Sequence, residues 1–229
     1  MGIKRAADVF CFEERGARSP MVERVWRTTS APEQSFLAVA ASHWEMVATR
    51  QEGPPQLAVL GPATRATAAP IPEGAEFLGI QFSLGAFMPS LAPGRLVDSG
   101  VSLTAGVAAS VWLDGYRLEV PGSDDVDAFV AKLVRLGLLV QDPVIGAAVG
   151  SDLAGVSVRS IERRVSRATG LTRGAIRQIR RAETAVGMLT AGVSPIDVAH
   201  LAGYADQSHL TRSLKRFIGQ TPAEIRAGR

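Results

Sequence analysis

The sequence has little of the chemistry on which metalloenzymes and disulfide-rich scaffolds depend. Its 229 residues include three histidines and a single cysteine, Cys11, which excludes an internal disulfide framework and a thiolate cluster for zinc. We therefore expect no metal and no cofactor. No stretch approaches the roughly 20 apolar residues of a membrane span, and the first twenty residues are charged rather than signal-like. These absences favour a cytoplasmic protein that does not enter a membrane.

Charge is distributed unevenly along the chain. From Ser151 onward there are 13 basic and 6 acidic residues, a net charge of +7, whereas the preceding part has 12 basic and 16 acidic residues, a net charge of −4. A basic module joined to an acidic one indicates a part that binds a polyanion and a part with another task. Charge alone does not distinguish nucleic-acid binding from a solvated surface, so the residue pattern has to decide.

The first half of the chain has the pattern of short strands. Five segments alternate with clusters of proline and glycine, at spacings that suit a small β-sandwich or barrel: VERVWRTT, SFLAVA, HWEMVATR, QLAVL and EFLGIQF. Further on, the apolar residues of DDVDAFVAKLVRLGLL recur at helical spacing, which predicts a helix capped near Ser123. We predict a β-rich domain over residues 1–122 and a connecting helix over residues 123–142.

Two features of this part have both a structural and a functional interpretation. His43 and Glu45 share one face if they lie in a strand, either as a structural or solvated pair or in contact with a small ligand, since two side chains are too few for a closed metal site. Cys11, between Phe10 and Phe12, is either a half-buried apolar residue or a redox-active thiol. In both cases the structural interpretation is the usual one for so short a pattern.

The last third of the chain contains an internal repeat with an offset of 49 residues. SVRSIERRVSRATGLT, residues 157–172, aligns without a gap on DQSHLTRSLKRFIGQT, residues 206–221. Both copies have an N-capping residue, an apolar stripe, two arginines at equivalent positions and a glycine near the end. Each copy therefore predicts a short capped helix, buried on one side and carrying on the other polar and basic residues that suit base edges and phosphates.

A short helix and a turn precede the second copy. Ser194 and Pro195 begin this helix and Gly203 ends it, so the segment predicts a helix-turn-helix unit. Between the two copies, the segment from Thr172 to Ala191 predicts one helix of roughly 30 Å. Because successive major-groove segments lie about 34 Å apart, such a rod suits two recognition helices on one side of a duplex.

These residues resemble the DNA-binding domain of AraC-type bacterial transcriptional regulators, in which a long helix joins two helix-turn-helix units. The resemblance is most specific over GYADQSHLTRSLKRFIGQTPAEIR, from Gly203 to Arg226, and extends back to about Val156. Glycines interrupt DPVIGAAVGSDLAGVS, the first helix of the first unit, so that unit is expected to be degenerate or to contribute weakly. The resemblance implies an α+β two-domain fold: a small β-sandwich or barrel-like N-terminal domain for sensing or oligomerisation and an all-α double helix-turn-helix domain over residues 143–229.

The resemblance also implies which residues contact DNA. The positions that reach bases in family members are occupied by Arg159, Glu162 and Arg163 in the first unit and by Ser208, His209 and Arg212 in the second. The positions expected to serve the phosphate backbone are those of Lys215, Arg216, Arg173 and Arg177.

The function that the resemblance implies is sequence-specific binding of double-stranded DNA by a regulator that is not an enzyme. A small-molecule effector in the N-terminal domain, a second copy of the chain and RNA polymerase are the further partners that it suggests. Two alternatives stay open: a DNA-tethered repair or modification enzyme that uses Cys11, and a protein-interaction module with a vestigial helix-turn-helix.

Overall fold

The computed structural model describes residues 13–30, 35–70, 72–150 and 157–228, and Cys11 lies outside these ranges. The strands, in chain order, are β1 (Glu13–Arg15), β2 (Val22–Thr29), β3 (Ser35–Ala38), β4 (Glu45–Arg50), β5 (Gln56–Leu60), β6 (Thr67–Pro70), β7 (Glu76–Phe82), β8 (Ala86–Phe87), β9 (Gly100–Ser102), β10 (Thr104–Ala105), β11 (Ser110–Leu113), β12 (Tyr116–Glu119) and β13 (Val140–Gln141). The helices are α1 (Pro93–Leu96), α2 (Val126–Arg135), α3 (Pro143–Gly150), α4 (Val158–Thr169), α5 (Arg173–Thr190), α6 (Pro195–Leu201), α7 (Gln207–Phe217) and α8 (Pro222–Ala227).

The N-terminal part is built on a six-stranded antiparallel sheet with the strand order β1-β2-β7-β4-β5-β9. Residues alternate between its two faces, and one face places Val25, Ile80 and Met46 in the hydrophobic core. Three smaller sheets accompany it, formed by β3 with β6, β8 with β13, and β10 with β11 and β12. Each of the five segments predicted as strands contains one, which confirms a β-rich N-terminal part.

The helix expected after this part is shorter than predicted. It is α2, which begins at Val126 after Asp125, and no side-chain hydrogen bond caps its N terminus, so the cap near Ser123 is wrong. Gly137 has a φ of +69° just beyond the C terminus of α2, a left-handed conformation that ends a helix at little cost for glycine. Beyond it, β13 pairs with β8 and ties the connecting segment to the N-terminal part.

The C-terminal part is helical and is organised around α5. This helix contacts α3 and α4 in one direction and α6, α7 and α8 in the other, which confirms the single long helix predicted between the two copies of the repeat. The N termini of α4 to α8 are capped by side chains that accept backbone N–H bonds: those of Ser157, Thr172, Ser194, Asp206 and Thr221. Residues 151–156, between α3 and α4 in the chain, lie outside the described residues.

No helix within the described ranges is both long enough and apolar enough to cross a membrane.

Candidate nucleic-acid interface and an adjoining cavity

Helix α7 presents its polar side to solvent. Its N terminus is fixed by Asp206, which accepts the His209 backbone N–H at 2.6 Å, and its apolar side is buried at Leu210. On the other side Ser208 and Arg212 are exposed, as the predicted contacts with bases require. The side chains with the reach to read base edges therefore stand clear of the fold.

The other predicted residues of α7 are partly engaged with the protein. Lys215 forms an exposed ion pair with Glu224 at 3.3 Å, and the Arg216 guanidinium lies 5.1 Å from the centre of the Phe217 ring. Both basic side chains remain exposed, so phosphate can compete for them. His209 is half-buried, with its ring edge-on to Tyr204 at 5.2 Å, so it also supports the turn before α7.

Helix α4, the first copy of the repeat, has the same division. Arg159 and Arg163 are exposed, whereas Ile161 is buried. Glu162 is half-buried, and its carboxylate accepts the backbone N–H of Arg173 at 3.4 Å. The two arginines are therefore available to a ligand, while Glu162 also helps to join α4 to α5.

The arginines of α5 do not form one surface. Arg177 is exposed, as predicted. The structure contradicts the assignment of Arg173 to phosphate contact, because its side chain is only 6% exposed at the first residue of α5, where this helix meets α4. Arg181 donates to the Gly203 carbonyl at 3.1 Å and lies 4.5 Å from the centre of the Tyr204 ring, so it fixes α5 to the turn of the second unit.

The C-terminal ends of α4 and α7, the two repeat helices, are held by the N-terminal part at equivalent positions. The Trp44 indole donates to the Ala168 carbonyl at 2.8 Å, and the Ala40 backbone N–H donates to the Phe217 carbonyl at 2.7 Å. Ala168 and Phe217 are one repeat offset apart, so each repeat helix has the same carbonyl occupied from outside its own domain. A further bond runs from the Ala66 N–H to the Arg216 carbonyl at 2.8 Å.

The polar face of the six-stranded sheet borders a cavity of about 1170 Å³, the sheet cavity. Its floor consists of three rows of residues that face each other across β2, β7 and β4. The rows are Arg24, Gln81 and Glu45; Trp26, Gly79 and Val47; and Thr28, Phe77 and Thr49. The C-terminal part contributes Arg180, Glu183, Val186, Ile218 and Gln220. Both parts of the chain therefore line one space.

A chain of hydrogen bonds occupies one end of the sheet cavity. Arg24 donates to the Gln81 side-chain oxygen at 2.8 Å, and the Gln81 amide nitrogen lies 3.3 Å from Nδ1 of His43. The Trp26 indole donates to Glu45 at 2.5 Å. The prediction that His43 and Glu45 share a strand is wrong, because β4 begins at Glu45 and His43 lies in the bend before it, but both side chains line this cavity.

Burial decides the protonation of this pair. It lowers the pKa of His43 to about 4, and the positive charges of Arg24 and Arg180 act in the same direction, so His43 is uncharged at neutral pH. Burial raises the pKa of Glu45, while the Trp26 hydrogen bond and the Arg24 charge oppose that shift. This end of the cavity therefore favours the uncharged forms of both groups.

At the far end, the Thr28 side chain is 3% exposed, and its hydroxyl has no hydrogen-bond partner among the described residues. A buried hydroxyl without a partner is costly. We expect Thr28→Val to raise the free energy of unfolding by about 1 kcal/mol in urea denaturation. Thr49→Val is the control, because Thr49 is half-buried on the same row and should change little. An unchanged or lower value for Thr28→Val would mean that the native hydroxyl is satisfied.

Comparison with known proteins defines the class of the C-terminal part. Residues 151–228 match the model of the family described as a helix-turn-helix domain. With α4 to α8 arranged as above, this confirms a helix-turn-helix domain in the C-terminal part, joined to a β-rich N-terminal part.

Individual relatives show how far each similarity extends. The HTH-type transcriptional regulator RipA of Corynebacterium glutamicum is 33% identical over 78 residues, which are 34% of this chain and 24% of that protein. The match thus spans about a quarter of that relative's length. Among solved structures, ToxT of Vibrio cholerae has a TM-score of 0.43 at 8% identity, covering 93% of this chain and 97% of ToxT. ToxT bound to (E)-4-(8-methylnaphthalen-1-yl)but-3-enoic acid has a TM-score of 0.44 at 9% identity, covering 93% and 97%.

Proposed function

We propose that the protein is a sequence-specific DNA-binding transcriptional regulator that responds to a small molecule held in the sheet cavity. The observation that carries the proposal is the exposed polar side of α7, in a helix-turn-helix domain whose apolar side is buried. The repeat helices enter successive major-groove segments, with their N-terminal ends toward the bases. The N-terminal part fixes their spacing through its bonds to Ala168 and Phe217.

The proposal divides the chain into a sensing part over residues 1–122, a connecting segment over 123–142 and a DNA-binding part over 143–229. It includes no catalytic step. The thiol of the enzyme alternative, Cys11, lies outside the described residues. Within the described ranges no three His, Cys, Asp or Glu side chains come close enough to hold a metal ion. Such a regulator acts in the cytoplasm with RNA polymerase, and a second copy of the chain is a further proposed partner.

Selection of bound fragments from a genomic pool at low salt, followed by fluorescence anisotropy, tests DNA binding. We expect Arg212→Ala to lower the affinity for the selected site by about 5- to 150-fold, since a bidentate base contact contributes about 1–3 kcal/mol, and to relax the preference at one base pair. Lys215→Ala should weaken all sequences alike and reduce the salt slope by about 1.

Arg117→Ala is the matched control, because Arg117 is an exposed arginine of β12 in the N-terminal part. Its affinity should equal that of the native protein. Failure to select any fragment would refute the proposed function. Selection of a site that Arg212→Ala and Lys215→Ala bind as tightly as the native protein would refute only the assignment of these residues, whereas failure to select any site would favour the module with a vestigial helix-turn-helix.

A further inference from the structure

The floor of the sheet cavity has three chemically different zones. Along β2, Thr28 in the third row follows Arg24 in the first row by four positions, a distance of roughly 13 Å at strand spacing. In the middle row, Trp26 lies directly over Gly79, where an added Cβ would be 1.9 Å from the indole ring. The floor is thus polar at one end, flat and apolar in the middle, and ends at the buried hydroxyl. This shape fits an elongated molecule with a flat body.

At the polar end of the sheet cavity, Arg24 has a charged partner among the described residues and Glu45 has none. Arg24 has two acceptors, Gln81 and the Glu14 carboxylate, the latter at 3.0 Å. Glu45 accepts a hydrogen bond from the uncharged Trp26 indole, and no described residue forms a salt bridge with it. The carboxyl group of Glu45, which forms no salt bridge with a described residue, therefore lies inside the cavity.

The side of the sheet cavity formed by the C-terminal part also carries a carboxyl group. Glu183 on α5 lines the same cavity, and burial raises its pKa, as the charge of Glu23 also does, against the effect of Arg180. Two carboxyl groups from different parts of the chain thus border one space. Arg24 and Arg180 line the same space, but Arg24 already has the Glu14 carboxylate and Gln81 as acceptors. A ligand cation beside either carboxyl group would stabilise its ionised form.

We propose that the sheet cavity binds an elongated, largely apolar amine, with its ammonium group at Glu45 and its flat body along Trp26. The ammonium group donates charge-assisted hydrogen bonds to the carboxylate, and the apolar body displaces water from the middle row. The proposed role of this ligand as an effector rests on the proposed function, but its binding does not. Because Arg180 and Glu183 belong to α5, an occupied cavity acts directly on the central helix of the DNA-binding part.

Isothermal titration calorimetry on the full chain tests the proposal with three probes that share one body: biphenyl-4-ylmethanamine, biphenyl-4-ylmethanol and biphenyl-4-carboxylate. We expect one amine per chain, bound about 10- to 100-fold more tightly than the alcohol or the carboxylate. Glu45→Gln keeps an acceptor for the Trp26 indole and should remove this preference, with little change for the alcohol. Glu76→Gln, an exposed carboxyl on the core-facing side of β7, should leave all three affinities unchanged.

Equal affinity for the three probes, tighter binding of the carboxylate, or an amine affinity insensitive to Glu45→Gln would overturn the proposal. Tryptophan fluorescence provides a second measurement that does not depend on the folding of Glu45→Gln. We expect Trp26→Phe to abolish the change in emission that the amine produces, and Trp112→Phe, on the remote β11, to retain it. The reverse pattern would place the amine elsewhere. Amine binding by a chain that selects no DNA would refute the proposed function alone, and DNA binding without amine binding would refute only this inference.

Discussion

Alanine at Gly170 should lower the free energy of unfolding by about 3 kcal/mol or more, and alanine at Gly219 by about 2–4 kcal/mol, whereas alanine at Gly203 should cost only about 1 kcal/mol. The three glycines have φ angles of +72°, +78° and +73°, so the left-handed backbone penalises alanine equally at each. The difference arises from the surroundings of the added Cβ.

At Gly170 the new Cβ would lie 2.8 Å from the Pro93 carbonyl oxygen and 2.7 Å from a Val97 methyl group, both in the N-terminal part. Backbone cannot move aside at low cost. At Gly219 the atom nearest to the new Cβ is a Leu37 methyl group at 2.5 Å. Because this side chain can rotate away in part, we expect a smaller loss of stability beyond the backbone strain than at Gly170. At Gly203 nothing lies within 4 Å, which makes it the matched control for backbone strain alone.

Chemical denaturation measures the loss of unfolding free energy in each of the three variants, and amide hydrogen exchange shows which backbone amides lose protection. In Gly219→Ala, the amides of Ala40 and Ala66 should lose protection, because their acceptors are the carbonyls of Phe217 and Arg216 at the end of α7. If all three variants lost the same stability and kept both amides protected, the N-terminal part would not be holding the repeat helices, and their spacing would have to be set by α5 alone.

The sequence predicted the C-terminal helices well because their signals are local. Ser157, Ser194 and Asp206 were expected as caps, and each side chain accepts the backbone N–H three residues later. The repeat likewise separated the exposed Arg163 and Arg212 from the apolar side of each helix, since a helix of known phase fixes which residues share a face.

Features that depend on contacts between distant segments were not predictable in this way. The resemblance placed Arg173 with Arg177 among the residues that serve the phosphate backbone, but a sequence pattern carries no information on the surfaces that cover a side chain. In the structure Arg173 is buried and Arg180 lines the sheet cavity. The cavity itself depends on strand register, because Arg24 and Gln81 are 57 residues apart in the chain. The one sequence signal for the cavity was the spacing of His43 and Glu45. This spacing predicted that the two side chains lie on the same side of the chain, but it did not predict which residues they contact.

The uncharged state of His43 leads to the second large expected effect, a loss of stability in mild acid. In the unfolded chain this histidine takes up a proton near pH 6.5, whereas in the folded protein its pKa is about 4. Between these values the unfolded state binds one more proton than the folded state. The free energy of unfolding therefore decreases as the pH falls from about 6.5 to about 4. We expect His43 to contribute up to about 3 kcal/mol to this loss.

Other groups that face His43 act on the same pH range and must be separated from it. Glu45 of β4 and Glu183 of α5 have raised pKa values, so they bind protons more readily in the folded state and oppose the loss. Arg24 of β2 and Arg180 of α5 stay charged throughout and disfavour the histidinium, while Gln81 of β7 does not titrate. The total pH dependence is therefore a sum of opposing contributions, and a variant is needed to isolate the one from His43.

His43→Gln removes the titration and keeps a side chain that can accept the bond from Gln81. The free energy of unfolding of the native protein, minus that of His43→Gln, should fall by up to about 3 kcal/mol between pH 7 and pH 4, as measured by urea denaturation at half-unit steps. His200→Gln, at an exposed position of α6, is the control for the replacement of a histidine by glutamine on the surface. Parallel curves for the native protein and His43→Gln would mean that His43 is protonated in the folded protein, and hence that the polar end of the sheet cavity is open to water.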